Sequence, residues 1–300
     1  MASTRLTTEE EDSSIANLRQ NRCSWSVKDR DVSRLLEFPR TETKWCLDPI
    51  FYERRREEYQ MELSGICVAT QAVGSIVGLK AIVKTRIQLI KHAQPAEKEI
   101  EGVEGVPDVF SDDAEIELQA LKRLTDAGCT ATPKLLDYKV EIQTKNDTAV
   151  GAYVLYVLME KVPGQNLLHF GGLSMEERNE ARIAFGVALR DLYSYGYRHD
   201  DPHPSNIIWD PESNKCHIVD LESLVELKTS HRPARIGDFY LWSLVGPGDW
   251  KCYDVDPMIV ELDPGNDMPD ETELRKVANE TMEKGLSVVK DYEPTRRWME

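Results

Sequence analysis

The sequence has few features that would place the chain outside a cell or across a membrane. Its six cysteines are scattered, and no C-x-x-C pair indicates a zinc site or a redox motif, so we expect reduced thiols. No apolar run approaches the ~20 residues that cross a bilayer, and the start of the chain lacks the apolar core of a signal peptide. We therefore expect a protein of the cytosol or the nucleus.

Positive charge is also scarce. The 37 Lys and Arg residues are outnumbered by 53 Asp and Glu residues, which gives a formal net charge of -16. Such a surface repels phosphate backbones and anionic lipid headgroups. We therefore expect neither nucleic acid nor a membrane surface as a partner.

Three regions differ in their residue patterns. Residues 1–60 are predicted to form a polar extension, with a short solvated helix within residues 48–63, and this extension is a candidate segment for binding a protein partner. Residues 61–160 carry β-branched clusters such as "GICVAT" and "KAIVKTRI", which predict antiparallel strands. Residues 161–300 are mainly helical in pattern. The order favours an α+β fold with a strand-rich part before a helix-rich part.

Capping signals mark two helices. In the strand-rich region, Asp112 and Glu115 have the spacing of a capping box and predict one helix that starts there. In the helix-rich region, Ser174 and Glu177 predict a second capping box, with Gly196 as the helix end. Between these helices, "TPKLLDYKVEIQ" and "VGAYVLYVLME" predict two strands of a hairpin.

The segment that follows the second predicted helix is rich in metal-binding and acid-base side chains. It reads "YRHDDPHPSN", and it precedes the apolar "IIW", a turn at "DPESNK" and the apolar "HIV", which ends at Asp220. This pattern predicts a loop followed by a tight hairpin, with Asp201, Asn206 and Asp220 together at its open end. Such a group suits a magnesium nucleotide, because it supplies hard oxygen ligands and a carboxylate to accept a proton.

This segment resembles the protein-kinase-like superfamily, and in motif style the aminoglycoside and choline kinase branch. "LYSYGYRHDDPHPSN" is similar to L-H-x-x-G-x-x-H-x-D-x-x-x-x-N, and "HIVDLE" is similar to I-D-x-E. The resemblance implies a bilobal fold, with a small antiparallel sheet and one helix in the first lobe and a larger, mainly helical second lobe. It also implies that Asp201 is the catalytic residue, that Asn206 and Asp220 hold Mg2+ against the phosphates of ATP, and that His199 supports the loop.

The resemblance extends upstream. "AIVKTRI" resembles V-A-I-K, which implies that Lys84 contacts the nucleotide phosphates. Glu117 lies on the apolar stripe of its helix, where a carboxylate needs a cation, and Lys84 is the candidate. "VLMEKVPG" resembles the segment between the lobes, which implies that the backbone of Glu160 and Val162 binds adenine and that Met159 lines its pocket. The implied activity is transfer of a phosphoryl group from ATP to a hydroxyl of a small metabolite or of a protein serine or threonine.

Other interpretations remain open at this point. There is no G-x-G-x-x-G before Lys84, and "DLE" stands where protein kinases have D-F-G, so the alternative is a pseudokinase that binds nucleotide or serves as a scaffold. An Asx-rich turn without chemistry would also explain the polar segment. His199 and Asp201, with His217 or His231, could instead imitate the H-x-D...H iron triad of oxygenases.

Overall fold

The structure is a computed structural model that describes residues 35–56, 62–89, 110–145, 147, 149–227, 233–247 and 255–284. The strands are β1 (Leu35–Phe38), β2 (Thr43–Leu47), β3 (Tyr52–Arg56), β4 (Glu62–Val73), β5 (Lys80–Gln88), β6 (Leu135–Ile142), β7 (Tyr153–Glu160), β8 (Gln165–Asn166), β9 (Tyr197–His199), β10 (Ile207–Asp210), β11 (Lys215–Ile218) and β12 (Leu224–Glu226). The helices are α1 (Asp112–Asp126), α2 (Met175–Ser194), α3 (Gly237–Leu241), α4 (Pro257–Val260) and α5 (Glu271–Glu283). Short 3-10 helices cover Leu167–Gly172, Pro204–Asn206 and Leu221–Ser223.

The chain is an α+β protein, as predicted. Strands β1 to β7 form one antiparallel sheet in the order β1-β2-β4-β5-β7-β6, with β3 on the same edge of β4 as β2. Strand β2 pairs with the second half of β4 and β3 with the first half. The helices follow the sheet in sequence, apart from α1, which lies between β5 and β6. No helix of the described residues is long and apolar enough to cross a membrane.

Strand β7 is buried on both faces, which explains its unbroken apolar sequence. One face belongs to a core that is formed with β1, β2, β4 and β5, and its residues are Val154, Tyr156 and Leu158. The other face belongs to a larger core that includes α1 and α2, and its residues are Tyr153, Leu155 and Val157. The sheet therefore separates two apolar layers.

Strand β5 places two cations on the face of the sheet that looks toward α1. Lys84 pairs with Val157 and Arg86 with Leu155, and residues opposite each other in an antiparallel pair point to the same side. Both therefore enter the larger core. A buried cation needs a partner, so the carboxylates must come from the elements packed on this face.

The capping box predicted at Asp112 and Glu115 is wrong. Ser111 is the N-cap: its backbone is extended, and its hydroxyl accepts the N–H of Ala114 at 3.2 Å. Asp112 is already helical, and the acidic residues of the first turn instead complement the positive end of the helix dipole. The capping box predicted at Ser174 for α2 is confirmed.

The prediction for residues 1–60 is wrong in the part of this region that the structure describes. Residues 35–38, 43–47 and 52–56 are strands β1 to β3 of the main sheet, and the last of them replaces the short helix predicted within 48–63. The physical reason is alternation, because every second residue of β1 and the alternate apolar residues of β2 are buried. The boundary predicted at residue 60 therefore cuts through the sheet, while residues 1–34 and 57–61 lie outside the described residues.

The hairpin predicted after "PHPSN" is confirmed as β10 and β11, which pair from Ile207 with Ile218 to Asp210 with Lys215. Strand β8 pairs with the other side of β10 and so connects this hairpin to the end of β7. Gly164 lets the chain before β8 pass close to the backbone of β10. Its φ is +101°, and a Cβ there would lie 2.2 Å from the carbonyl oxygen of Trp209.

We predict that Gly164→Ala destabilises the fold by about 3 kcal/mol, because it combines backbone strain with a clash against another strand. Gly172→Ala is the matched control, since nothing lies within 4 Å of its Cβ position and its φ is not positive. Gly128→Ala isolates the effect of a positive φ, because the φ of Gly128 is +79° and nothing lies within 4 Å of its Cβ position. Denaturant unfolding of the three variants measures each cost, and equal stability of Gly164→Ala and Gly172→Ala would contradict the close approach.

Candidate active site

The ring of His199 supports the loop that carries Asp201. Its Nε2 lies 3.2 Å from the carbonyl oxygens of both Val219 and Asp220, and its Nδ1 lies 3.2 Å from the backbone N of Asp201. Carbonyl oxygens only accept and a backbone N–H only donates, so the ring proton is on Nε2. The supporting role predicted for His199 is confirmed. Trp242, directly after α3, packs edge-on against this ring at 5.3 Å between centroids.

Asn206 brings the loop and the hairpin together. Its side-chain Nδ2 donates to the carbonyl oxygen of Asp201 at 3.1 Å, and its own carbonyl oxygen accepts the N–H of Val219 at 2.9 Å. Because Nδ2 must face the Asp201 carbonyl, the amide Oδ1 faces away from it. This oxygen accepts from the hydroxyl of Ser205 at 3.4 Å and has a second lone pair for a ligand. Asp201, Asn206 and Asp220 are thus close together, as the sequence predicts.

Asp201 has an exposed side chain on a fixed backbone. Its N–H donates to His199 and its carbonyl accepts from Asn206, so both peptide groups beside it are held. The neighbouring Asp200 differs, because its carboxylate is engaged by the guanidinium of Arg198 at 2.5 Å. Of the two adjacent residues, Asp201 is the one whose backbone contacts both Asn206 and His199, and the ring of His199 also contacts the carbonyl of Asp220.

The backbone of Asp220 is left-handed, with φ 60° and ψ 56°. This conformation is costly for a residue with a side chain. It turns the chain into the 3-10 helix Leu221–Ser223 and lets two carboxylates reach one cation: Nζ of Lys84 lies 2.7 Å from Oδ1 of Asp220 and 2.9 Å from Oε2 of Glu222. The third partner of this ammonium is Oε1 of Glu117, at 2.9 Å. The ion pair predicted between Lys84 and Glu117 is therefore present.

A second cation lies beside Lys84. Arg86 donates to Oε1 of Glu62 at 2.6 Å, to Oε2 of Glu117 at 2.8 Å, and to Oε2 of Glu222. All five side chains are nearly inaccessible, and we call Glu62, Lys84, Arg86, Glu117 and Glu222 the buried ion cluster. It joins β4, β5, α1 and the residues after β11 at one point.

Two polar side chains complete the hydrogen bonding of Glu62. The hydroxyl of Tyr153 donates to its Oε2 at 2.5 Å, and the hydroxyl of Ser111 donates to the same oxygen at 2.8 Å. Burial, followed by the charge of Glu62, raises the pKa of Tyr153 well above its ordinary value, so this phenol stays protonated and remains a donor. The N-cap of α1 is thereby connected to the ion cluster.

Lys84 stays charged. Burial is the largest single influence on its pKa and lowers it, but the attraction of Glu117, Asp220 and Glu222 outweighs burial and the repulsion from Arg86. The pKa of Lys84 therefore lies above its ordinary value. A permanently charged ammonium can bind an anion but cannot serve as a base near neutral pH.

The three residues predicted to bind adenine lie at the end of β7. Met159 pairs with Ile82, two residues before Lys84, so it lies on the Lys84 face of the sheet. The N–H of Glu160 is already engaged by the carbonyl oxygen of Lys134 at 2.9 Å. Val162 is buried, and the chain then runs past Gly164 into β8.

The sequence did not predict the contacts of Glu62, Arg86 and Glu222. A signal existed for Arg86, because it follows Lys84 by two residues and so shares its face of the strand. Glu222 follows Asp220 by two residues in "DLE", and its role becomes visible only when the 3-10 helix is in place. Glu62 becomes a partner of Arg86 through the register of β4 and β5, which pairs Ser64 with Arg86.

The iron-triad interpretation fits the geometry poorly, because both ring nitrogens of His199 are engaged by the backbone. Across the described ranges no group of three or more His, Cys, Asp or Glu side chains could hold a metal ion, and His231 lies outside them.

A cavity of about 460 Å³ lies between α2, α5 and the hairpin of β10 and β11. Its lining includes Glu160 and His217 but neither Lys84 nor Asp201.

Comparison with known proteins adds no family assignment. No protein-family model matches the chain, and no curated protein matches it.

We predict that Arg86→Met destabilises the protein by about 3–5 kcal/mol, because it leaves three buried carboxylates with one fewer cation. Arg123→Met is the control: it removes an exposed ion pair with Glu226, and we expect a change of about 0.5 kcal/mol or less. Urea unfolding of both variants measures the difference. A loss below about 1 kcal/mol for Arg86→Met would show that the cluster is not tightly coupled.

We also predict a pH dependence from His199. Burial lowers its pKa below the ordinary 6.5, so the unfolded chain takes up the ring proton more readily than the folded one. The stability contribution of His199 is therefore full above pH 6.5 and is lost as the pH falls through the lowered pKa. Unfolding from pH 7.5 downward should be less pH-dependent in His199→Gln than in the wild type, and parallel curves would contradict this assignment.

Proposed function

We propose that the chain is an ATP- and Mg2+-dependent phosphotransferase with a bilobal protein-kinase-like fold. The observation that carries the proposal is the position of Lys84, which contacts Glu117 on α1 and Asp220 after β11 at the same time. Asp220 in turn lies beside the loop of Asp201 and Asn206, through His199 and Val219. A cation, two candidate oxygen ligands and an exposed carboxylate on neighbouring segments suit phosphoryl transfer, which depends mainly on positioning and charge neutralisation.

The residues present fit a magnesium nucleotide. Asn206 and Asp220 would hold Mg2+ through oxygen atoms, which this ion prefers, and the ion would supply positive charge that offsets the phosphates. All three N–H groups of Lys84 are engaged by carboxylates, so one contact must be exchanged when a phosphate binds. Asp220 is the partner to exchange, because its side chain is 34% exposed whereas those of Glu117 and Glu222 are buried.

Asp201 is the proposed catalytic residue. Its carboxylate is exposed to an incoming acceptor, and its backbone is held on both sides by His199 and Asn206. In the proposed reaction, Asp201 orients the acceptor hydroxyl and accepts its proton as the oxygen attacks the terminal phosphorus of ATP. The bond from that phosphorus to the bridging oxygen breaks, and ADP leaves with the electron pair.

The end of β7 is the proposed adenine site. Since the N–H of Glu160 is engaged by Lys134, Glu160 would contribute its carbonyl oxygen and Val162 its N–H. Met159, on the face of Lys84, would line the adenine pocket. The acceptor is a hydroxyl of a small metabolite or of a protein serine or threonine.

A pseudokinase is the second candidate. Two observations favour it: the sequence has no G-x-G-x-x-G before Lys84, and Lys84 is saturated by its three carboxylates. Thermal unfolding with ATP, with and without Mg2+, distinguishes the candidates, because a ligand at ~100 times its Kd stabilises by ~2.7 kcal/mol. A shift that requires Mg2+ supports the metal site, whereas no shift favours a scaffold.

We predict that Asp201→Asn lowers phosphoryl transfer by about 100- to 10,000-fold, because the variant cannot accept the hydroxyl proton. Its affinity for Mg-ATP should be nearly unchanged, since Asn206 and Asp220 are intact, whereas Asp220→Ala should weaken that affinity. Transfer is measured with labelled ATP and a cell extract that has been divided into protein and small-molecule fractions, and affinity by calorimetry.

Asp200→Asn is the matched control, because it removes the adjacent carboxylate, which is paired with Arg198. It should transfer label like the wild type. Wild-type transfer by Asp201→Asn would rule out the proposed role of Asp201. Absence of label in both fractions with the wild-type protein would return the assignment to the pseudokinase.

A further inference from the structure

Strand β3 places an arginine on the face of the sheet that carries the site. Arg54 pairs with Ser64 of β4, and Ser64 pairs with Arg86 of β5. Residues paired in this way point to the same side of an antiparallel sheet. Arg54 therefore lies on the face of Lys84 and Arg86, one strand beyond β4.

Arg54 contacts the buried ion cluster from its rim. Its NH1 lies 3.4 Å from Oε1 of Glu222, while the other oxygen of Glu222 accepts from Lys84 at 2.9 Å and from Arg86. The three cations differ in access: the side chain of Arg54 is 48% exposed, compared with 6% for Lys84 and 1% for Arg86. Arg54 is thus the one of these three that reaches both Glu222 and solvent.

Arg54 can change partner at small cost. A long ion pair at the surface is worth little, and Glu222 keeps Lys84 and Arg86 as donors if Arg54 turns away. The guanidinium has five donors in a planar fork, and this fork matches two oxygen atoms of a phosphate. By contrast, Arg86 is committed to three buried carboxylates.

We propose that Arg54 binds the phosphates of the nucleotide from the side of the sheet, in place of the backbone amides of a glycine-rich loop. This inference rests on the proposed function, because it needs a nucleotide between Lys84 and Asp220. It accounts for a site that has no G-x-G-x-x-G before Lys84 yet must hold an anionic ligand beside several carboxylates. In this arrangement Glu222 keeps Arg54 turned toward the site until a phosphate takes its place.

Calorimetric titration of the full chain with Mg-ATP, Mg-ADP and adenosine tests the proposal. Arg54→Gln should weaken binding of Mg-ATP and Mg-ADP by about 10- to 100-fold, the effect of losing a charged hydrogen bond, and should leave adenosine binding unchanged. Arg54→Lys keeps the charge without the fork, so part of the affinity should return. Arg123→Gln removes the same charge from an exposed ion pair with Glu226 and should bind all three ligands like the wild type.

The possible results distinguish a failure of the role of Arg54 from a failure of the proposed function. If the wild type binds Mg-ATP and Arg54→Gln and Arg54→Lys bind it equally well, the role of Arg54 is wrong and the proposed function stands. Equal loss of adenosine and Mg-ATP binding in Arg54→Gln would indicate a structural role and also overturn the inference. If the wild type binds no nucleotide, the proposed function and the role of Arg54 are both wrong.

Discussion

The structure depends on two cations that are buried between the sheet and α1. Lys84 and Arg86 lie side by side on β5, and three buried carboxylates, Glu62, Glu117 and Glu222, hold them there. Removing such charges from water is costly, so an arrangement that separates any partner is disfavoured by several kcal/mol. The cluster therefore selects one relative position of β4, β5, α1 and the chain after β11, rather than adding much to net stability.

The buried ion cluster also positions the candidate catalytic loop, through a short stretch of chain and two hydrogen bonds of His199. Glu222 is two residues from Asp220, and both bind Lys84. The carbonyl of Asp220 then accepts from the ring of His199, whose other nitrogen holds the N–H of Asp201. The backbone of Asp201 is thus tied to the position of Lys84 through groups that are each hydrogen bonded. Under the proposed function, this chain of contacts would let residues from the sheet and from the loop act on one ligand.

The sequence predicts the parts of this arrangement that are local. Capping predicts α2, alternation predicts the pair of strands β6 and β7, and two apolar pieces around a turn predict the hairpin of β10 and β11. The need of a buried Glu117 for a cation predicts its pairing with Lys84. The features that the sequence did not predict depend on residues that are far apart in the chain. Strands β1 and β2 alternate over only four and five residues, a pattern too short to stand out from the polar sequence around it, and β3 is mostly charged. The partners of Arg86 come from residues 62, 117 and 222. Only strand register and helix packing bring those three positions together.

Under the proposed function, the charge of the site makes the metal and the nucleotide interdependent. Asp220 and the three carboxylates of the buried ion cluster face two buried cations, so a polyphosphate without a metal would enter a region that is already negative. Asn206 and Asp220 would hold a divalent ion, which would supply positive charge there, and Asp220 would then give up its contact with Lys84. Lys84 and Arg54, which contact different oxygens of Glu222, would then both donate to the phosphates. The negative charge of the site would thereby favour a metal-bound nucleotide over a free one.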